Sequence, residues 1–139
     1  MTRVLRLLGL ALLLAAGPAL AKVNVCPGPV TLPGIDVSYW QGSIDWAKVK
    51  AAGKKFVIMR AGHGLAADTK FDFNWAQCHA QGLRCGAYHY LEPDLDVLAQ
   101  AKLFVDTVGP LAVGDLPPVL DVEAELGTPA ALAAAVDVW

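Results

Sequence analysis

The sequence predicts an α/β fold in which four strand–helix units form a parallel sheet. Short apolar runs rich in β-branched residues alternate with helical segments, and the loops between them are brief. This alternation is typical of parallel strands joined by right-handed helical crossovers. It fits either an open doubly wound sheet or a parallel (β/α) barrel of the TIM type. Because no Gly-x-Gly-x-x-Gly or P-loop pattern follows the first run, a nucleotide-binding sheet is disfavoured.

Eight elements are predicted in alternation along the chain. The strands are placed near Gly34–Ser38, Phe56–Ala61, Cys85–Tyr90 and Pro118–Val122. The helices are placed near Asp45–Ala52, Thr69–Gln81, Asp96–Thr107 and Pro129–Val138. In a barrel, functional side chains would gather at the C-terminal ends of the strands, which is where the polar residues of this chain stand.

Capping residues and helical spacing support these boundaries. Either Ser43 or Asp45 caps the first helix, and Gly53 ends it. The second helix carries large apolar residues at i, i+4 and i+7, so its Trp75 is expected in the core. Thr128-Pro129 is typical of a cap followed by the first helical residue.

The chain opens on a segment typical of secretory signals. Arg3 and Arg6 precede an uncharged apolar stretch that ends in Ala19-Leu20-Ala21, a small-x-small cleavage pattern. This stretch is shorter than the roughly 20 residues of a membrane span. We therefore expect residues 1–21 to be removed on export, leaving a secreted protein without a membrane anchor. Residues 22–33 are expected to form a Pro- and Gly-rich arm.

Composition limits the classes of partner. The formal net charge is −2, so the chain offers no basic surface to nucleic acid. The length allows one domain, residues 34–139. Cys78 and Cys85 lie on either side of a predicted turn, and an oxidising compartment favours their pairing. Two buried, reduced thiols are the alternative, and Cys26 lies on the arm. The cysteine spacing matches no metal site.

The fourth predicted strand ends in two acids. In the stretch LPPVLDVE, Val119, Asp121 and Glu123 share one face because successive side chains of a strand alternate. The Cα atoms of the two acids would be about 6.6 Å apart at ordinary strand rise. Two carboxyls this close in a partly dry site cannot both ionise easily, which raises the pKa of one and leaves the other charged. Such a pair suits acid catalysis.

Other strand ends add candidates. In the first strand, alternation places Asp36 and Ser38 on the same face. Tyr39 and Trp40 follow at the end of this strand, where their flat rings could stack on sugars. In the third strand, Tyr88 and Tyr90 share one face and His89 takes the other. A strand-end aspartate is as often the cap of the next loop, so both interpretations of Asp36 stay open.

The histidines have simpler explanations than catalysis. His63 stands between two glycines and is expected in a loop, His79 is expected to face solvent in mid-helix, and His89 is expected in the core. A metal-dependent hydrolase using His89 with Asp121 and Glu123 is a weak further hypothesis, because the sequence has no clustered pair of histidines.

Three blocks resemble, in order and spacing, the glycoside hydrolase family 25 lysozymes, which are secreted muramidases. The blocks are GIDVSYWQGSIDWAKVKAAGKKFVIMRA, DTKFDFNWAQCHAQGLRCGAYHY and LPPVLDVE. They extend from about Gly34 to Glu123. The resemblance implies a distorted (β/α) barrel that needs no cofactor. It also implies cleavage of the β-1,4 bond between N-acetylmuramic acid and N-acetylglucosamine in bacterial peptidoglycan.

The resemblance also implies roles for single residues. Glu123 matches the general acid of the family's Asp-x-Glu motif. Asp121 matches its partner, either the nucleophile or the group that orients the substrate's own acetamido as nucleophile. Asp36 matches an acid that supports the site electrostatically, and Tyr88 matches a glycan-facing tyrosine. Tyr39 and Trp40 remain stacking candidates.

The chain departs from the family pattern in two ways. RAGHG, from Arg60 to Gly64, stands where the family commonly has Lys-Ala-Thr-Glu-Gly, so His63 replaces an acid. Barrels of this type typically need about 200 residues or more, so residues 34–139 are expected to be a C-terminally incomplete catalytic domain of about four βα units. The alternative to an active muramidase is a non-catalytic or defective glycan-binding module.

Overall fold

The computed structural model describes residues 31–123 and 128–139. The predicted leader, nearly all of the predicted arm and Cys26 lie outside these described residues. No helix among the described residues is long and apolar enough to cross a membrane.

The described residues form five strands and four α-helices. The strands are β1 Gly34–Val37, β2 Phe56–His63, β3 Ala66–Ala67, β4 Arg84–Tyr90 and β5 Val119–Asp121. The helices are α1 Trp46–Ala51, α2 Phe71–Ala80, α3 Val97–Val108 and α4 Pro129–Val138. All eight predicted elements are present in the predicted order. The two-residue strand β3 and a 3₁₀ turn at Tyr39–Gln41 were not predicted.

The sheet has the strand order of a barrel wall. The strands β1, β2, β4 and β5 lie side by side in chain order, and each pair is parallel. Strand β3 pairs antiparallel with the end of β2. A doubly wound sheet would reverse direction part-way along this order. The sequential order instead confirms the predicted parallel (β/α) fold of barrel type.

The core lies on the helix-covered face of the sheet. Val57 and Met59 of β2 are fully buried, as is Cys85 of β4, and they pack with Trp46 of α1 and Phe71 of α2. Alternation turns the intervening side chains to the opposite face. That opposite face carries the polar residues that line the candidate site.

A bulge in β2 alters the register next to the site. Arg60 pairs with Tyr88, but the next pair joins Gly62 to His89, so one residue of β2 is left over. A Cβ at Gly62 would stand 2.9 Å from His89 Nδ1, which explains the glycine. The prediction that His63 lies in a loop is wrong, because pairing with β3 extends β2 to His63.

A disulfide fastens α2 to the sheet. Cys78 of α2 and Cys85 of β4 are bonded, with their Cα atoms 6.1 Å apart. Of the two alternatives left open by the sequence, the structure has the disulfide. Leu116 N–H donates to the Cys85 carbonyl, so this bonded pair also contacts the segment that leads into β5.

His79 connects the exposed side of α2 to the segment that leads into β5. Its Nδ1 lies 2.9 Å from the Trp75 carbonyl oxygen and its Nε2 lies 2.8 Å from Asp115 Oδ1. Both partners offer acceptor oxygens, so these two contacts favour the imidazolium, which donates from both nitrogens. Burial lowers the pKa of His79, but the hydrogen bonds to Asp115 and Trp75 outweigh it and the net pKa is raised.

Replacing His79 with Ala should therefore destabilise the fold in a pH-dependent way. The stabilisation is complete below the ordinary pKa of 6.5 and is lost as pH rises through the raised folded-state pKa. At low pH we expect the free energy of unfolding to fall by about 0.2–1 kcal/mol, because the His79–Asp115 pair is partly exposed. Denaturant unfolding of both proteins from pH 5 to 9 measures it. A loss that is independent of pH would contradict the imidazolium assignment.

Candidate active site

A cleft of about 380 Å³ opens on the face of the sheet opposite the core. We call it the acid cleft. Its walls are Asp36, Ile58, Tyr88 and the segment from Val119 to Glu123. Three of its side chains are carboxylic acids: Asp36 comes from β1, Asp121 from β5, and Glu123 from the segment directly after β5. The cleft therefore joins residues that are far apart in the sequence.

Parallel pairing sets the position of each acid. Asp36 of β1 pairs with Ile58 of β2, and Asp121 of β5 pairs with Tyr90 of β4. At the end of β5, Leu91 N–H donates to the Asp121 carbonyl over 2.9 Å. This bond holds the backbone at the point where the two acids leave the sheet.

The acids interact with one another. Burial raises the pKa of Asp121, and the charge of Glu123, a hydrogen bond between the two carboxyl groups and the charge of Asp36 raise it further. A hydrogen bond between two carboxyl groups needs one shared proton. The prediction that Asp121 and Glu123 face the same way is confirmed.

Two tyrosines face the acids, as their alternation in β4 predicted. Burial raises the pKa of Tyr88; the charge of Arg60 lowers it, and the charges of Asp36 and Asp121 raise it. Burial also raises the pKa of Tyr90, and Glu123, Glu92 and Asp121 add to the rise. Both phenols therefore keep their protons at neutral pH and can donate hydrogen bonds to the ligand or to the acids.

Tyr39 and Trp40 lie in the 3₁₀ turn after β1, and neither lines the acid cleft. Ser38 caps this turn: its hydroxyl accepts from Trp40 N–H, and Gln41 Oε1 accepts from Ser38 N–H. Trp40 is 73% exposed and stacks on Tyr39 with ring centroids 4.5 Å apart. Trp40 does not line either described cleft. Tyr39 lines a second cleft beside the acid cleft.

A buried ion pair that the sequence did not reveal fixes Tyr39. Asp68 accepts hydrogen bonds from Arg60 Nε at 2.9 Å, Tyr39 N–H at 3.0 Å and Lys70 N–H at 2.9 Å. The Arg60 guanidinium carbon lies 4.9 Å from the centre of the Tyr39 ring. Two ordinary charged residues at this spacing carry no sequence signal, because the loop after β3 brings them together.

His89 lies in the core, as predicted. It is fully buried, its Nε2 lies 3.3 Å from Gln100 Oε1, and its ring stacks near Trp139 at 4.7 Å. Burial lowers its pKa, so the ring is neutral. The hypothesis of a metal site built from His89 with the acid pair is wrong, because His89 points to the helix-covered face. Residues 31–123 and 128–139 contain no group of three side chains suited to a metal.

Residues 35–139 match the profile of Glycosyl hydrolases family 25. The chain belongs to this family. It is similar to the uncharacterized protein YegX of Escherichia coli K12, with 43% identity over 103 residues that cover 70% of this chain and 38% of YegX. It is also similar to Lysozyme M1 of Streptomyces globisporus, with 40% identity over 94 residues that cover 65% of this chain and 32% of that protein.

A solved structure extends the comparison to the fold. A family 25 glycosyl hydrolase from Bacillus anthracis superposes with a TM-score of 0.71 and 32% identity, covering 78% of this chain and 52% of the other. This chain therefore spans about half the length of that structure and 38% or less of the length of YegX and Lysozyme M1. The α/β fold with its parallel sheet is the family 25 fold.

Removing the Asp68 carboxylate should destabilise the fold strongly. Asp68→Ala leaves the buried Arg60 charge unpaired, which costs about 3–5 kcal/mol. The matched control is Asp106→Ala, which breaks an exposed ion pair with Lys102 and should cost less than about 1 kcal/mol. Urea unfolding measures both. Similar small losses would show that the Arg60–Asp68 pair does not hold the turn.

Removing the Asp121 charge should stabilise the fold at neutral pH. The pKa of Asp121 is raised above its ordinary 3.8, so ionisation costs free energy in the folded state. Asp121→Asn removes that cost. We expect the free energy of unfolding to rise by less than about 1 kcal/mol, because solvent screens the charges. The gain should vanish as pH falls below 3.8, where the carboxyl is protonated in both states. Asp94→Asn, at an exposed turn residue, is the control. A neutral-pH loss on Asp121→Asn would contradict the shift.

Proposed function

We propose that this family 25 protein is a peptidoglycan hydrolase of the lysozyme type. Its reaction would be cleavage of the β-1,4 bond between N-acetylmuramic acid and N-acetylglucosamine. The observation that carries the proposal is the acid cleft, where Asp121 and Glu123 lie together beside Asp36 and Tyr88. The names of relatives support the substrate class, since they include a lysozyme and an autolytic lysozyme.

Glu123 is the proposed general acid. Asp121 and Glu123 line the same cleft, and burial and the neighbouring acids raise the pKa of Asp121, so the pair holds a proton more readily than an isolated carboxyl does. A glycan that fills the cleft excludes water and brings its bridging oxygen to the pair. Glu123 in its protonated form then gives its proton to the departing sugar oxygen as the glycosidic bond breaks.

Asp121 is the proposed partner of this general acid. As a carboxylate it acts in one of two ways: it attacks the anomeric carbon, or it orients the substrate's acetamido group so that the acetamido oxygen attacks. Either route proceeds through two displacements and retains the anomeric configuration. The pair thus supplies one protonated carboxyl as the acid and one carboxylate as the negative charge that the reaction needs.

Asp36 and Tyr88 complete the cleft from the other strands. The Asp36 charge acts on both Asp121 and Tyr88, so it favours positive charge developing on the sugar ring. Tyr88 donates a hydrogen bond to the glycan. The exposed ring of Trp40, stacked on Tyr39, offers a flat apolar surface to a sugar beyond the cleft.

A cell-wall substrate implies action outside the cytoplasm. We propose export through residues 1–21 as a cleaved signal, residues 22–33 as an arm and residues 34–139 as the catalytic region. The disulfide between Cys78 and Cys85 suits an oxidising compartment.

Glu123→Gln tests the proposal. The amide keeps the size of the side chain and removes the proton that the departing oxygen needs, so turnover should fall by about 10²–10⁴-fold. Release of reducing ends from purified peptidoglycan measures turnover, and binding to sacculi is measured in parallel. Asp106→Asn, an exposed carboxylate on α3, is the matched control and should keep wild-type turnover.

The outcomes separate two functions. Turnover by wild type and its loss in Glu123→Gln support a hydrolase. Equal turnover by both proteins would overturn the role of Glu123. Binding to sacculi without turnover by the wild type would instead identify a glycan-binding module.

A further inference from the structure

The second cleft lies next to the acid cleft and has a different character. It encloses about 490 Å³. Its lining combines charged groups of both signs with apolar side chains, namely Tyr39, Arg60, His63, Leu65, Glu92 and Leu95. Leu65 is 53% exposed and Leu95 is 44% exposed. Large apolar side chains beside charged groups at an open cleft are typical of a ligand site.

Two cross-strand pairs form the wall between the clefts. Arg60 of the second cleft pairs with Tyr88 of the acid cleft. Two pairs further along the strands, His63 pairs with Tyr90, and their ring centroids lie 4.4 Å apart. A branched ligand bound at the acid cleft can therefore extend over this wall without leaving the surface of the sheet.

The charged groups of the second cleft are held in place by the fold. Arg60 is buried, and its Nε–H donates to Asp68. Among the described residues no acceptor is bonded to its two Nη groups, which leaves these donors for a ligand. Further along β2, His63 Nε2 and Glu92 Oε1 are hydrogen-bonded at 2.5 Å. The cleft thus offers donors for a carboxylate and a carboxylate for an amine.

We propose that the second cleft binds the peptide stem of peptidoglycan. This inference rests on the proposed function. Muramic acid carries a short peptide on its lactyl group, with carboxylates, alanine methyls and often an amine. Arg60 and His63 suit the carboxylates, Glu92 suits an amine, and Leu65 with Leu95 suits the methyl groups. A neutral N-acetylglucosamine ring has no charge to match these groups.

The test compares one glycan with and without its peptides. Soluble peptidoglycan strands are used either intact or after an amidase has removed the stems. For each protein, kcat/KM and Kd are measured on both substrates and expressed as the intact-to-stripped ratio. The variants are wild type, His63→Ala/Glu92→Gln and Asp106→Asn. A ratio is used because a loss of folding or of catalysis lowers both values together.

We expect wild type and Asp106→Asn to prefer intact strands by about five-fold or more in kcat/KM and in Kd. The His63→Ala/Glu92→Gln protein should bring both ratios close to one. Stripped strands cleaved as well as intact ones by the wild type would overturn the stem site and leave the hydrolase standing. A preference that the double variant keeps would also overturn it. Failure to bind or cleave either glycan would overturn the proposed function, and the stem site with it.

Discussion

The parallel pairing of β5 with β4 is the constraint on which the site depends. Three residue pairs set it: Tyr88 with Val119, His89 with Leu120, and Tyr90 with Asp121. A slip of one residue would turn Asp121 toward the helix-covered face. The Leu91 N–H bond to the Asp121 carbonyl and the Leu116 N–H bond to the Cys85 carbonyl fix this register at both ends. The disulfide at Cys85 then joins it to α2.

Electrostatics follow from that register. Asp121 and Glu123 are directed into one cleft beside Asp36, so their negative charges repel one another. A proton held between two carboxyls reduces this repulsion. The raised pKa of Asp121 is therefore a consequence of strand pairing. Because the pKa of Asp121 is raised on folding, the same arrangement weakens the folded state slightly at neutral pH.

The sequence predicted the features that depend on local pattern. Strand and helix order, the shared face of Asp121 and Glu123, the buried His89 and the placement of Tyr88 all follow from alternation, capping and spacing. It did not predict features that depend on contacts between distant segments. The bulge at Gly62, the pairing of β3, the Asp68 bonds to Arg60 and Tyr39, and the meeting of His63 with Glu92 belong to this second class. Tyr39 was expected beside the acids, but the Asp68 bond turns it to the second cleft.

The most direct test of the account is the titration of Asp121 itself. Carbon-13 labelling of aspartate side chains lets the pH dependence of each carboxyl shift be followed by NMR in wild type and in Glu123→Gln. The account predicts that the pKa of Asp121 lies above the ordinary value of 3.8 in the wild type and falls in the variant, where the neighbouring charge is gone. An ordinary Asp121 titration that does not respond to Glu123→Gln would show that the two carboxyls do not meet, and would contradict the account.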